Sequence, residues 1–191
     1  MLVKIGQPVD HGFDAPLGLL SDCHRRIERF LDVLLVTTEA RRGGVLEPAD
    51  RAALQAALRY FITAAPRHSA DEEESLFPRL RSAQDPDTQA ALATLARLEA
   101  DHRIAEAHHE AVDMLGRRWL IDGSLPPAEA EVLREHLVAL RELYRVHIAL
   151  EDQELFPAAA RVLSADDLES VGREMAARRN VAFAPPPGMA G

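Results

Sequence analysis

The 191-residue sequence predicts an all-α fold: an antiparallel up-down four-helix bundle made of two repeated helical hairpins, with a short C-terminal fifth helix. Three features carry this. Apolar residues return at alternating steps of three and four, the stripe that a helix buries in a bundle. Ala, Leu, Glu and Arg are abundant while aromatic residues make up 5%, and no stretch alternates apolar with polar, so helices are favoured and a sheet is not. Finally, the second half of the chain repeats the first.

Residues 1–13 read as an irregular segment. Asp14 suits a helix cap and Pro16 the first turn, and the stripe Leu17, Leu20, Ile27, Leu31, Leu34 runs to a stop near Arg42, at Gly43-Gly44. One position in that stripe, His24, is polar. The second helix starts near Pro48 and carries Leu54, Leu58, Phe61, Ala65, His68, Glu72 and Leu76; Pro66 lies inside it and predicts a kink. Asp85-Pro86-Asp87 breaks the chain. The third helix carries Leu95, Leu98, His102, Ala105, His109, Val112 and Trp119 and ends at Gly123. The fourth opens at Pro126-Pro127 and carries Leu133, Leu137, Leu140, Tyr144, His147, Glu151 and Leu155. Ser164 caps a fifth helix with Leu168, Val171 and Met175. The bundle domain spans 14–180, and 181–191 reads as a flexible tail.

The repeat is legible at the residue level. His68 and His147 each open the pattern H-x3-E-x3-L-F-P, and the offset, from Glu72 to Glu151, is 79 residues. Leu54, Leu58, Gly44 and Pro48 match Leu133, Leu137, Gly123 and Pro127 at that offset, while His24 and Glu28 match His102 and Glu106 at an offset of 78. Each hairpin thus has one histidine on its first helix and H-x3-E on its second, and packing two such hairpins makes a four-helix bundle.

Six ligand-type residues then fall on core-facing positions: His24, His68, Glu72, His102, His147 and Glu151. Residues four apart share a helix face about one turn, roughly 5–6 Å, apart. Buried polar side chains must find partners, and four imidazoles with two carboxylates at one level suffice for two metal ions, the carboxylates bridging and the imidazoles capping. This donor set suits iron, manganese or zinc. A lone H-x3-E is common on exposed helices; repetition with matching histidines and matching Leu-Phe-Pro is what makes the signal specific.

This pattern, H…HxxxE…H…HxxxE with two Leu-Phe-Pro tripeptides, resembles the hemerythrin-like family, the HHE cation-binding domain, over about residues 15–160. The resemblance implies a non-haem di-iron centre. His24 and His68 would hold one iron and His102 and His147 the other, with Glu72, Glu151 and an oxo or hydroxo group as bridges. One position on each ion would stay open for dioxygen, nitric oxide or peroxide. The family's oxygen carriers have a third histidine from an HxxxH pair on the third helix, where this sequence has Glu106. The departure points away from oxygen storage and toward sensing, scavenging or detoxification. Glu28 and Glu106 are read either as partners of a metal-bound imidazole or of Arg25, Arg26 or Arg103, or as direct ligands. Tyr144 is read either as a group facing the bound ligand or as core packing. His109, two turns past His102, is too distant to share the ions, and His11, His108 and His136 read as solvated.

Alternative functions compatible with the site are a di-iron peroxidase or catalase-like enzyme and an iron-centre repair protein; the N-terminal cysteine segment usual in the latter is missing here. A metal-independent helical interaction protein is the reading from another class. The net charge of −9 and a single lysine, Lys4, argue against a nucleic-acid partner. Cys23, the one cysteine, cannot form an internal disulfide. With no apolar run in MLVKIGQPVD and no stretch of roughly 20 apolar residues, a cytoplasmic protein without membrane contact is expected, as a monomer or homodimer.

Overall fold

The computed structural model describes residues 11–83 and 88–183, with side chains from 94 onward in the second segment. Every regular element among them is helical: α1 (Pro16–Arg41), α2 (Pro48–Thr63), α3 (Ala65–Ala70), α4 (Phe77–Ser82), α5 (Thr88–Asp122), α6 (Pro127–Leu150), α7 (Phe156–Val162) and α8 (Ala165–Arg178). Two π-helical segments, Asp71–Leu76 and Glu151–Leu155, join α3 to α4 and α6 to α7. The elements therefore form four long rods: α1, the composite α2–α4, α5, and the composite α6–α7. The rods contact in a ring, α1 on α2, α2 on α5, α5 on α6 and α6 on α1, and α8 lies against α1 and the first π segment. The expected chain break at 85–87 and the tail beyond 183 lie outside the described residues.

Prolines and glycines set most of the boundaries. Pro16, Pro48 and Pro127 stand in the first turns of their helices, where the missing N–H has no partner to lose. The cap of α1 is Ala15, without a side-chain hydrogen bond; Asp14, expected as the cap, stands one residue too early. Ser164 does cap α8, in a reciprocal box with Asp167. The kink expected at Pro66 is a break at Ala64 between α2 and α3.

The turn after α1 is the tightest in the bundle. Arg42 and Gly43 both have positive φ, 48° and 79°. Gly43 O accepts from Leu125 N at 2.7 Å, and Gly44 O accepts from Trp119 Nε1 at 2.8 Å, so this turn holds the far ends of α5 and α6. A Cβ on Gly43 would meet Leu125 O at 2.7 Å and the Ala130 side chain at 2.8 Å.

The core has two apolar halves. One is built on Ile27, Leu31, Leu54, Leu58, Phe61, Trp119, Leu133, Leu137 and Leu140. The other is built on Leu20, Leu76, Phe77, Leu95, Leu98, Leu155, Phe156, Val171 and Met175. His24, His68, Glu72, His147 and Glu151 are buried near the junction of the two halves, and His102 is half-buried. The repeated tripeptide explains itself here: Leu76, Phe77, Leu155 and Phe156 are the apolar floor under the polar layer, and Phe156 stacks on the His24 ring at 5.5 Å.

Gly43→Ala should cost about 2–3 kcal/mol, combining backbone strain and the contacts above. Gly123→Ala, whose φ is 78° but whose Cβ would meet nothing within 4 Å, should cost less, about 1 kcal/mol. Urea denaturation of the two variants checks the order, and equal losses would show that the Gly43 contact is unimportant.

Candidate metal centre

Two groups of donor atoms converge in the polar layer, His24, His68, Glu72 and Glu151 in one, and Glu72, His102, His147 and Glu151 in the other, each within 4.8 Å. Both carboxylates belong to both groups, and each group adds one histidine from a first helix of a hairpin and one from a second. Glu72 and Glu151 are fully buried, at 0% exposure. His24 Nε2 lies 3.0 Å from Glu151 Oε2 and 3.8 Å from Glu72 Oε1. His68 Nε2 lies 3.3 Å from Glu72 Oε1, His102 Nε2 3.3 Å from Glu72 Oε2, and His147 Nε2 3.2 Å from Glu151 Oε2.

The atoms that face one another are buried without a hydrogen-bond partner: both oxygens of Glu72, both of Glu151, and Nε2 of His24, His102 and His147. Two carboxylates in an apolar core are costly unless cations compensate them. Here unpartnered donor atoms from five side chains, with His68 Nε2 beside them, converge in two overlapping groups, a donor set suited to metal cations.

The opposite ring nitrogens are held by carboxylates that sequence reasoning did not single out. Asp152 Oδ1 lies 3.0 Å from His24 Nδ1 and is also bound by the Ser21 hydroxyl at 2.7 Å. Glu73 Oε1 lies 2.7 Å from His102 Nδ1. Asp101 Oδ2 is 3.5 Å from His147 Nδ1, beyond hydrogen-bond reach. Glu73 and Asp152 each directly follow a motif glutamate, so they are equivalent in the repeat, and each crosses to the other hairpin's histidine. The signal was present as the acidic pairs Glu72-Glu73 and Glu151-Asp152. Nδ1 of His68 and Nδ1 of His147 are both buried with no hydrogen-bond partner, and the residue equivalent to Asp101 is Cys23. Such carboxylates fix a metal-binding imidazole's tautomer and raise its basicity.

Both glutamates also begin or sit inside a π turn. A π turn carries an extra residue and rotates the side chains after it relative to those before, and such turns recur at functional sites. No pattern of apolar spacing reveals it.

The remaining candidates stand elsewhere. Glu28 and Glu106 are exposed and belong to neither donor group. Arg25, expected as a partner of Glu28, pairs instead with buried Asp22. Tyr144 is buried, and its hydroxyl meets His109 Nε2 at 2.8 Å, with His109 stacked on Phe61. His11 is not merely solvated, since its Nδ1 lies 3.1 Å from Asp22. A cleft of about 280 Å³ reaches this layer from outside, lined by His102, Glu73, Glu106, His109 and Tyr144 among others.

The electrostatics follow from this geometry. Burial alone would raise the pKa of Glu72, but the facing imidazoles of His68, His102 and His24 hold it well below the usual value. Glu151 is raised by burial and by Glu72, yet His147 and His24 bring it below normal. Burial lowers His24, but Asp152, Glu151 and Glu72 raise it well above 6.5. Burial likewise lowers His102, but Glu72 and Glu73 raise it to about 9. His68 is pushed down by burial to about 4. The carboxylates of the layer thus favour charged imidazoles at His24 and His102, and the imidazoles favour charged carboxylates.

A family model, the hemerythrin HHE cation binding domain, matches residues 15–159. The chain belongs to this family. It is also 29% identical over 170 residues to an uncharacterised protein of Haemophilus influenzae, covering 88% of this chain and 92% of that one. In this HHE-domain chain no described helix is long and apolar enough to cross a membrane.

Loading metal at about pH 7.5 should release about two protons, those of His24 and His102. Both pKa values are raised on folding, so their stabilisation of the metal-free protein is complete below pH 6.5 and is lost as pH rises through each folded value, about 9 for His102. The melting temperature of the metal-free protein should fall over that window and that of the loaded protein should not; weakly buffered dye titration and calorimetry check both.

Proposed function

We propose that the polar layer binds two iron ions and that the protein binds or reacts with a small diatomic molecule or peroxide there, in sensing, scavenging or detoxification. The observation that carries this is the set of buried, unpartnered donor atoms shared between two groups through Glu72 and Glu151. In this reading His24 and His68 hold one ion, His102 and His147 the other, and the two glutamates bridge. Family membership favours iron over manganese or zinc. The four rods alternate in direction, as short connections between packed helices require, in one domain over residues 14–180.

A pair of redox-active ions supplies up to two electrons to a small oxidant beside it. The protein's own residues do the rest. Asp152 and Glu73 keep Nε2 of His24 and His102 free for the ions. Leu20, Ile27, Leu98 and Leu140, at 0–1% exposure, keep bulk water from the layer. The cleft beside His102 and Tyr144 gives a few-atom ligand a way in. Because Glu106 is exposed, no buried side chain stands in for the third histidine of the oxygen carriers, which favours reaction over storage.

Elemental analysis after anaerobic reconstitution should find about two irons per chain. Glu72→Ala and Glu151→Ala should each strip most of that iron, to the same degree, because each carboxylate belongs to both donor groups. A silent member of that pair would refute the shared-bridge assignment, and saturation at one ion or none would refute the two-ion reading.

Stopped-flow absorption of the reduced, iron-loaded protein should change on mixing with nitric oxide, oxygenated buffer or hydrogen peroxide. A spectrum unaltered by all three overturns the proposal. A change with oxygen that reverses when oxygen is removed would assign storage instead, and sustained oxygen release from peroxide would assign a catalase-like enzyme.

A further inference from the structure

Tyr144 is buried, yet its hydroxyl belongs to neither donor group of the core; it meets His109 Nε2 at 2.8 Å instead. His109 stacks on Phe61 with ring centroids 4.5 Å apart. Phe61 meets Tyr60 edge-on at 5.4 Å, and Tyr60 stacks on Phe30 at 4.5 Å. At the inner end the Tyr144 ring lies 6.3 Å from the ring of His147, one of the six core donors. Each neighbour is within the range of an aromatic pair. A row of six rings therefore runs from the polar layer to Tyr60 on α2 and Phe30 on α1, both half-buried. The chain has two tyrosines, and both stand in this row. His108 does not join it, because its Nδ1 meets that of His136 at 2.8 Å across the α5–α6 interface.

We propose that this row carries single electrons from the surface to the polar layer, with Tyr60 and Tyr144 oxidised in turn, so that a small soluble donor supplies the electrons for reducing a peroxide. The inference rests on the reading of the layer as a redox centre. Phenols lose an electron far more readily than phenylalanine or imidazole rings, so the tyrosines are the stations. Phe61 fills the gap between them with packed ring instead of void.

The hydrogen bond to His109 decides what Tyr144 does. Its hydroxyl is turned to that imidazole, so it is not placed to hand a proton to a molecule in the layer. An electron needs no such contact. Burial holds the pKa of His109 down to about 4, so the ring is neutral and Nε2 is free to accept. Burial raises that of Tyr144, so its proton leaves only when its electron does. An oxidised phenol is a far stronger acid than an imidazolium, and the proton then crosses to Nε2.

The electrons and protons balance as follows. Each electron leaves Tyr144 for the layer while the phenol proton passes to His109, which leaves a phenoxyl radical beside an imidazolium. An electron from Tyr60, with the proton returned by His109, restores the phenol. Tyr60 loses its own proton to solvent and regains one electron and one proton from a donor with an oxidisable O–H, here ascorbate. Two such passages deliver two electrons, and two protons from water join them at the layer. Hydrogen peroxide becomes two waters, and two donor molecules are each oxidised by one electron.

The test uses Tyr144→Phe, Tyr60→Phe and His109→Gln. The first two keep the rings and remove only the phenols, and glutamine accepts a hydrogen bond without being a base. Reduced, iron-loaded protein is mixed with hydrogen peroxide and freeze-quenched for electron paramagnetic resonance. A tyrosyl signal, narrowed by ring-deuterated tyrosine, is expected in the unmodified protein. It should be lost in Tyr144→Phe and diminished in His109→Gln, with iron content unchanged. In Tyr60→Phe it should persist, and ascorbate should clear it more slowly than in the unmodified protein. A second measurement does not involve peroxide at the layer: flash oxidation of the air-oxidised protein by a dissolved ruthenium tris-bipyridyl with a persulfate acceptor. Its phenoxyl absorption should outlive that of Tyr144→Phe, because the radical retreats to the buried ring, and should nearly vanish in Tyr60→Phe. Equal lifetimes in the unmodified and Tyr144→Phe proteins overturn the row itself. A long-lived radical after the flash but none with peroxide refutes the redox reading of the layer, and with it the proposal that the row feeds it.

Discussion

Two carboxylates facing each other in an apolar core are the constraint on which the rest of this protein depends. Glu72 and Glu151 have no exposure at all and raise each other's cost of ionisation. Only positive charge at the same level makes that arrangement tenable. The protein meets the need with four imidazoles, and the surrounding carboxylates raise the pKa of two of them, His24 and His102. Everything apolar is arranged around that layer. Leu-Phe from each repeat seals one side, and the leucines of α1, α2 and α6 with Trp119 fill the other.

The hairpins are tied together through this layer as well as through their apolar packing. Glu73 of the first hairpin orients His102 of the second, and Asp152 of the second orients His24 of the first. Each hairpin therefore carries a core-facing histidine that a carboxylate of the other hairpin orients. The symmetry fails at one place. Asp101 puts a carboxylate 3.5 Å from His147 Nδ1, whereas Cys23 occupies the matching position in the first hairpin; neither His147 Nδ1 nor His68 Nδ1 has a hydrogen-bond partner. The two halves of the centre thus present unequal imidazoles to whatever they bind.

The fifth helix belongs to the same architecture. Asp71, immediately before Glu72, is fully buried and accepts from Arg178 at 2.9 Å and from Arg179 at 2.6 Å. Arg178 also donates to the Ser75 hydroxyl at 2.7 Å. α8 consequently clamps the π turn that presents Glu72, rather than lying free at the end of the bundle.

Most of the helices and the six core-facing His and Glu residues were legible in the sequence, because burying a stripe demands apolar residues at fixed spacing and a polar residue in that stripe stands out. The repeat made the polar ones legible as a set. Helix ends at Gly43-Gly44, Pro48, Gly123, Pro127 and Ser164 were legible for local reasons, since φ preference and capping act within a few residues. The π turns, the crossed pairs Glu73–His102 and Asp152–His24, and the meeting of His108 with His136 were not. Each depends on how one rod is rotated against its neighbour, and contacts between residues 28 to 128 apart in the chain leave no trace in local periodicity. Sequence alone determined which side chains must be buried together; the packing of the rods decided which atoms of those side chains face one another, because only that packing sets their angles and distances.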